Sequence, residues 1–496
     1  MSAVADVRNR PRLPARVHSV IAGARVAERP GATELAIINP ATEQTIGVLQ
    51  EADAREVDAA VRAAREAFDR GPWPRLPIND RKDILYRIRD VLREHADELV
   101  WLECVNAGLP IVRVREQLGR AARNFEFFAE VASNVAGQTY TGDRGLLTYV
   151  TREPRGVGAL IAPWNAPLAL ASMRVATCIA FGNTCVLKPS EHTPLSMLRM
   201  VELFHDAGLP PGVVNLVNGR GPVTGAALVE HPGIDMVAFT GGTQTGKAIM
   251  AAAGQRLKPC ILELGGKSAN VIHESADFGR ALDGALASIY SNNGQQCLAG
   301  SRILVQRPIA ERFIAAFVER ARRIRIGDPL LPETELGPLC FREHLERVLS
   351  YVTVATGEGA TLLTGGRRAP GFASGYYMEP TAVLARSNAD RVCQEEIFGP
   401  FATFLVYDTV DEAIATANDS PYGLVAYVWA ADLDVVMRCS RDIRAGTVWV
   451  NTPMVRDLRA PFGGFKQSGV GRDGATSSAE FFTELKTTMI PVQEPT

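Results

Sequence analysis

Gly156-Val157-Gly158-Ala159-Leu160-Ile161-Ala162-Pro163-Trp164-Asn165 is the stretch on which the fold turns. A continuous apolar run of this length, closed by turn residues, reads as a strand buried on both faces of a sheet. The chain stays uncharged as far as Met173, but Pro163, Asn165 and Pro167 would break a membrane-spanning helix. A helix to about Ala180 and a second strand at 185–187 are expected next. Thr193-Pro194 supplies an N-cap and first helical residue for a helix whose apolar face is Leu195, Leu198 and Val201, with Leu203 and Phe204 beyond. Gly208 and Pro210 stop it. Further strands are expected at 213–217, 236–239 and 261–264, with short helices between the first two and the last two. This βαβ rhythm belongs to a parallel sheet covered by helices on both faces.

Past Gly265-Gly266 a second α/β set begins, with strands expected at 269–272, 303–305, 404–406, 425–429 and 448–450 and helices at 310–324 and 410–418. Two α/β domains therefore meet near residue 265. The β-branched segments 146–151 and 484–492 stand apart from both sets and read as a two-stranded arm that would want a partner subunit.

At 496 residues the chain has room for two to four domains of roughly 100–200 residues each. It is 46% hydrophobic and 22% charged, with a formal net charge of -2, so nothing points to nucleic acid or a membrane surface. Arg8, Arg10, Arg12 and Arg16 are not followed by an apolar run, and Pro11 and Pro14 spoil an amphipathic transit helix, so a disordered amino terminus and a cytoplasmic protein are expected. The eight cysteines form no C-x-x-C pair and no zinc-spaced cluster with histidine, which argues for a reducing compartment and no metal.

The chemistry-bearing residues follow the expected strands. Cys297, in Gly294-Gln-Gln-Cys297, comes after a glycine turn, where a thiol can be exposed and activated, although a lone cysteine is more often a small buried hydrophobe. Glu263 ends a strand and could act as a general base on water, or be a surface glutamate before a turn. Asn165 offers an amide to an oxyanion, or caps its own turn. Lys188 and Glu191 at the next strand end suit ribose hydroxyls, or form a solvated pair; an acid there disfavours a 2′-phosphate. Phe239-Thr-Gly-Gly-Thr-Gln-Thr-Gly-Lys247 has the spacing of a Walker loop at Gly241, Gly246 and Lys247, but Ala248 lacks the hydroxyl needed for magnesium, so an ATPase is disfavoured. The loop still opens a helix whose amides could receive a pyrophosphate.

Taken in order, Pro163-Trp-Asn165, Lys188-Pro-Ser-Glu191, Phe239-Thr-Gly241, Glu263-Leu-Gly-Gly-Lys267, Gly294-Gln-Gln-Cys297, Glu395-Glu-Ile-Phe-Gly-Pro400 and Pro461-Phe-Gly-Gly-Phe-Lys466 resemble the aldehyde dehydrogenase superfamily over nearly the whole chain. The resemblance implies an α/β fold with a Rossmann-like NAD-binding domain (1–132 and 155–262), an α/β catalytic domain (263–461) and a small β oligomerisation arm (133–154 and 474–496). It implies NAD as cofactor and oxidation of a small aldehyde to a carboxylic acid by a homodimer or homotetramer. The implied catalytic set is Cys297 as nucleophile, Asn165 with the Cys297 backbone N–H as oxyanion hole, Glu263 as base, and Lys188. The implied cofactor set is Ile161, Pro163, Trp164, Lys188, Ser190, Glu191, Gly221, Phe239, Thr240, Gly241, Gly242, Thr245, Leu264, Gly265, Glu396 and Phe398. Arg174 and Thr177 depart from the pattern, standing where many members have lysine and proline; arginine cannot release a proton to a relay built on that lysine.

Val455-Arg456-Asp457-Leu458-Arg459, just before Pro461, resembles the branch that oxidises 2-hydroxymuconate, 2-aminomuconate and carboxymethyl-hydroxymuconate semialdehydes. Such substrates carry a carboxylate remote from the aldehyde, which an arginine fork fits bidentately. Arg459 is the first candidate for that contact and Arg120 the second, with Phe462 beside them; both arginines could equally be surface residues. The competing readings are a general aliphatic or aromatic aldehyde dehydrogenase, a CoA-acylating semialdehyde dehydrogenase, which has no need of Glu263, a cysteine hydrolase, which leaves Lys188, Glu191 and Glu396 unexplained, and a non-catalytic protein, which should have lost Cys297 or Glu263.

Overall fold

Strand β1 (Val157–Ile161) is buried along its whole length. From it the chain runs through α1 (Pro167–Ala180), β2 (Thr184–Lys188), α2 (Leu195–Asp206), β3 (Val214–Leu216), α3 (Ala226–Glu230), β4 (Met236–Thr240), α4 (Thr243–Gly254) and β5 (Cys260–Glu263). The structure is a computed structural model and describes residues 13–142 and 145–492; the amino terminus expected to be disordered lies outside these except for its last residues.

The sheet runs Gly469–Val470, β5, β4, β1, β2, β3, Val20–Ile21, Ala24–Arg25. β1 to β5 are parallel, and the short edge strands are antiparallel. Alternation of side chains across the pleat explains how both faces are covered. Leu160, Leu187 and Leu216 pack with α1 and α2, whereas Ala159, Ile161, Val186 and Val237 pack with Val57, Val61, Leu228 and Ile249. Each fully buried Val or Leu contributes about 1.5–3 kcal/mol. The chain steps from β1 one way to β2 and β3, then returns on the other side of β1 to β4 and β5. A crevice opens at such a reversal, at the carboxyl ends of β1 and β4.

The second sheet uses β6 (Ala269–Ile272), β7 (Arg302–Gln306), β8 (Thr361–Thr364), β9 (Thr381–Leu384), β10 (Phe401–Tyr407), β11 (Val425–Trp429) and β12 (Thr447–Val450). Their order is β8, β9, β10, β7, β6, β11, β12, parallel except for β8 on β9. β8 and β9 were not expected from the sequence. Thr193 is not the cap expected of it: α2 begins at Leu195 with Pro194 in the cap position and no side-chain cap. The free amide of Leu195 donates instead to Asn106 Oδ1 at 3.2 Å, and Ser196 Oγ donates to Glu103 Oε2 at 3.0 Å. That cap comes from a different helix, Ala96–Ala107.

The strand Leu146–Pro154 pairs antiparallel with Thr483–Pro491 on one side and Gln138–Tyr140 on the other. Among the described residues Thr483–Pro491 has an open edge, and its Leu485 and Met489 are each 64% exposed. No helix among the described residues is long and apolar enough to cross a membrane.

Candidate active site

Strand register delivers the site. Ile161 lies beside Lys188 on one side and Phe239 on the other, and Thr240 lies beside Glu263. The turns that follow these strands therefore open onto one crevice. It has two chambers that share Pro163, Trp164, Thr240, Gly241, Gly242, Gln244, Thr245 and Phe341. One, of about 750 Å³, is lined by Ile161, Lys188, Ser190, Glu191, Gly221 and Phe239. The other, of about 890 Å³, is lined by Asn165, Glu263, Leu264, Gly265, Cys297, Glu396 and Phe398. Every residue of the expected cofactor set lines one chamber or both. Lys188 lines only the chamber without Cys297, so it stands with the cofactor set and apart from the other three catalytic candidates.

The loop bearing Cys297 is held in an unusual backbone shape. Asn292, Asn293 and Gly294 have φ of 55°, 57° and 69° in succession. Side-chain amides brace that turn. Asn293 Nδ2 donates to the carbonyls of Gly108 and Pro338, both at 2.9 Å, and its Oδ1 accepts from Gly337 N at 2.8 Å. Asn292 Nδ2 donates to the carbonyls of Asn165 and Gln295, at 2.9 and 3.0 Å. Gly294 must be glycine: a Cβ there would lie 2.2 Å from Gly399 C. From the other sheet, Asn165 Nδ2 donates to the Gln295 carbonyl at 2.8 Å, which places the amide beside the cysteine loop.

Burial and the charges of Glu396 and Glu263 push the Cys297 thiol up to about 12, with Arg456 opposing them. Glu263, at 7% exposure, is pushed up to about 8 by burial and by Asp473, with Arg174 opposing. Its Oε1 is buried without a hydrogen-bond partner, a state suited to taking a proton. Behind it Arg174 forms a buried ion pair with Asp473 and donates to Thr240 Oγ1 at 3.2 Å. Phe462 and Asp473 exchange backbone hydrogen bonds of 2.6 and 2.7 Å, tying that pair to Phe462, which packs in the same apolar cluster as Cys297.

The first chamber and its neck fit a dinucleotide. The first turn of α4 lies on it through Gln244 and Thr245. Such a helix start presents amides to a pyrophosphate. Lys188 Nζ donates to the Pro189 carbonyl at 2.8 Å and sits 3.6 Å from Glu191, leaving an acid at the chamber wall for ribose hydroxyls. At the other end Glu396 accepts from Gly266 N at 3.0 Å and burial pushes its carboxyl up to about 7. Phe398 has φ of 62°, and His344 and Arg347, on the helix Arg342–Gly357, hold its loop. His344 Nε2 donates to the Phe398 carbonyl at 2.7 Å; Arg347 donates to those of Glu396 and Ile397 at 2.6 and 3.1 Å.

The arginines divide differently from the sequence expectation. Arg459 is not at the crevice: its side chain is 80% exposed and chelated by its neighbour Asp457, with contacts of 2.6 to 3.1 Å. Arg456, three residues earlier, lies 4.3 Å over the Phe462 ring, and its Nε is buried with no hydrogen-bond partner. Its charge acts on Cys297, on Glu263 and on Arg120. Phe341, His344, Arg347 and Tyr422, which also line the second chamber, carried no sequence signal of their own.

A family model described as the aldehyde dehydrogenase family matches residues 27–488. The chain is 42% identical over 458 residues to 2-hydroxymuconic semialdehyde dehydrogenase of Pseudomonas sp. (strain CF600), covering 90% of this chain and 94% of that protein. It is 44% identical to 5-carboxymethyl-2-hydroxymuconate semialdehyde dehydrogenase of Escherichia coli, covering 89% and 94%. Among solved structures, an NAD+ complex of aldehyde dehydrogenase from Bacillus cereus superposes with a TM-score of 0.94 at 40% identity, covering 97% of this chain and 98% of that one.

Proposed function

The chain belongs to the aldehyde dehydrogenase family and is an NAD-dependent oxidoreductase of that type, and on that premise we propose that it oxidises a semialdehyde with a distal carboxylate through a thioester on Cys297. The observation that carries the substrate class is Arg456, a guanidinium with an unpartnered buried Nε whose charge acts on Cys297 and on Arg120. Two adjacent cations repel unless an anion lies between them, and a carboxylate is the anion that a guanidinium fork fits. The two semialdehyde dehydrogenase relatives support the same class.

In this reading Cys297 Sγ attacks the aldehyde carbon, and its proton leaves to a base. Asn165 Nδ2 and the Cys297 backbone N–H donate to the oxygen that becomes negative. Bound NAD supplies the acceptor for the hydride, with Lys188 and Glu191 on the adenosine ribose, the start of α4 on the pyrophosphate, and Glu396 and Phe398 at the nicotinamide end. Glu263 then takes a proton from water as it attacks the thioester, releasing the acid and the thiol. The division of the chain into cofactor and catalytic parts at residue 263, and a homodimer or homotetramer formed through the arm, belong to the same proposal.

The test is a panel of aldehydes with and without a distal carboxylate, followed by NADH absorbance, for the wild type, Arg456→Ala, Arg120→Ala and Arg459→Ala. The first two variants are expected to raise KM for the carboxylated aldehyde by roughly 10-fold or more with little change of KM for uncharged aldehydes, any effect of the lost Arg456 charge on Cys297 and Glu263 falling on kcat for both, and Arg459→Ala to change neither. A wild type indifferent to the carboxylate refutes the substrate class, and product formation that depends on CoA refutes the hydrolytic ending.

A further inference from the structure

Glu51 follows the strand Thr45–Gln50 and is 5% exposed. Its carboxylate is spent on Arg220. Oε1 accepts from both the backbone N and Nε of Arg220 at 2.9 Å, and Oε2 accepts from Nη2 at 2.7 Å. Arg220 immediately precedes Gly221, which lines the chamber with Lys188, Ser190 and Glu191.

These groups form one charged cluster at the ribose end. A Cβ on Gly219 would stand 3.0 Å from Glu51 Cγ, and one on Gly225 would stand 3.5 Å from Lys188 Cδ, so the segment that carries Arg220 packs between the two. The Lys188 charge acts on Glu51, and the Glu191 charge acts on Arg220. The Arg220 side chain is 47% exposed, so packing does not fix it; the Glu51 fork does.

We propose that Glu51 is a specificity-determining residue, which withholds the Arg220 guanidinium from the adenosine 2′ position and so denies a 2′-phosphate the fork it would need. Selection against the phosphorylated cofactor then has two parts, the repulsive carboxylate of Glu191 and the withdrawn cation of Arg220. A bidentate arginine is a strong partner for phosphate, and one whose charge and Nε–Nη2 edge are engaged by a buried carboxylate binds a second anion less well. The inference rests on the assignment of Lys188 and Glu191 to the adenosine ribose. Replacing Glu51 by glutamine keeps its size, removes the charge that binds the fork and frees the guanidinium to turn.

The experiment compares the affinity of the cofactor-free protein for NADP and for NAD by fluorescence titration, and beside it kcat/KM for the two, each taken as a ratio of NADP to NAD. Glu51→Gln is expected to raise the ratio about tenfold, the worth of one charge-assisted contact. The rise is expected to vanish in Glu51→Gln/Arg220→Ala. Arg220→Ala alone, a change at a half-exposed side chain, is expected to leave the ratio where it was, because the arginine is already withheld. An unchanged ratio in Glu51→Gln, a rise that survives loss of Arg220, or a fall in Arg220→Ala alone overturns the proposal. The NAD KM of Glu191→Gln reads the ribose assignment separately: a KM that does not move defeats that assignment, whereas the Glu51 arms defeat the withheld arginine.

Discussion

The Asn165 side-chain amide donates to the Gln295 carbonyl at 2.8 Å, joining the reversal point of the first sheet to the loop that ends in Cys297. That bond uses one of the two Nδ2 hydrogens and leaves the other for the oxyanion of the proposed mechanism. Asn165→Ala is expected to lower kcat by roughly 10²–10³. The melting temperature should fall little, since the Gln295 carbonyl keeps its second donor, Asn292 Nδ2, at 3.0 Å. Steady-state kinetics beside a thermal melt check both halves.

In the proposed mechanism Glu263 acts as a base, which requires it ionised, and its pKa is pushed up to about 8. Turnover limited by thioester hydrolysis should therefore rise as pH increases through about 8. Asp473 contributes to that upward push, and it also neutralises Arg174. Asp473→Asn removes one negative charge and exposes Glu263 to an unpaired cation, so the acid limb of the kcat profile should move to lower pH. Loss of one member of a buried ion pair should also destabilise the fold by about 3–5 kcal/mol. A limb that stays in place or moves up counts against this electrostatic account.

With the Cys297 thiol pushed up to about 12, the cofactor-free protein should react slowly with iodoacetamide at neutral pH, and faster as the pH is raised. Glu396 is the largest electrostatic contributor after burial. Glu396→Gln should speed alkylation at a fixed pH of about 8 by lowering the thiol pKa. Peptide mass mapping of Cys297 gives the rate directly.

Gly294 combines a φ of 69° with the absence of room for a Cβ, which would lie 2.2 Å from Gly399 C. Gly294→Ala should cost about 1–3 kcal/mol in backbone strain, with the clash added to it. Because the residue it displaces adjoins the Glu396 to Phe398 loop, KM for NAD should rise together with the loss of kcat. A variant with wild-type melting and kinetics would show that the turn can relax.

What the sequence displayed and what it hid divide along physical lines. β1 to β5 are apolar runs closed by Gly, Pro or charged residues, and a buried parallel strand has no other local form. The first residues after those strands could be read as a site because strand ends converge on a crevice. β8 escaped because its leading residues are exposed, and β9, Thr381–Leu384, because it holds only two large apolar residues. The α2 cap escaped because its acceptor, Asn106, lies on another helix. Arg456 and Arg459 share a residue type, a loop and a charge. What separates them is the partner each side chain takes, Phe462 for one and Asp457 for the other, and a sequence in which Asp457 stands near both does not show that choice. His344 and Arg347 were silent for the same reason: their three carbonyl partners lie about fifty residues away in sequence.

The central claim, a thioester on Cys297 that Glu263 resolves, is tested most directly by mixing Glu263→Gln protein with NAD and an aldehyde, then measuring NADH release and intact mass together. The account predicts one rapid equivalent of NADH per active site, almost no further turnover, and a mass increase of one acyl group mapped to Cys297. Continuous NADH formation with no adduct on Cys297 would contradict it.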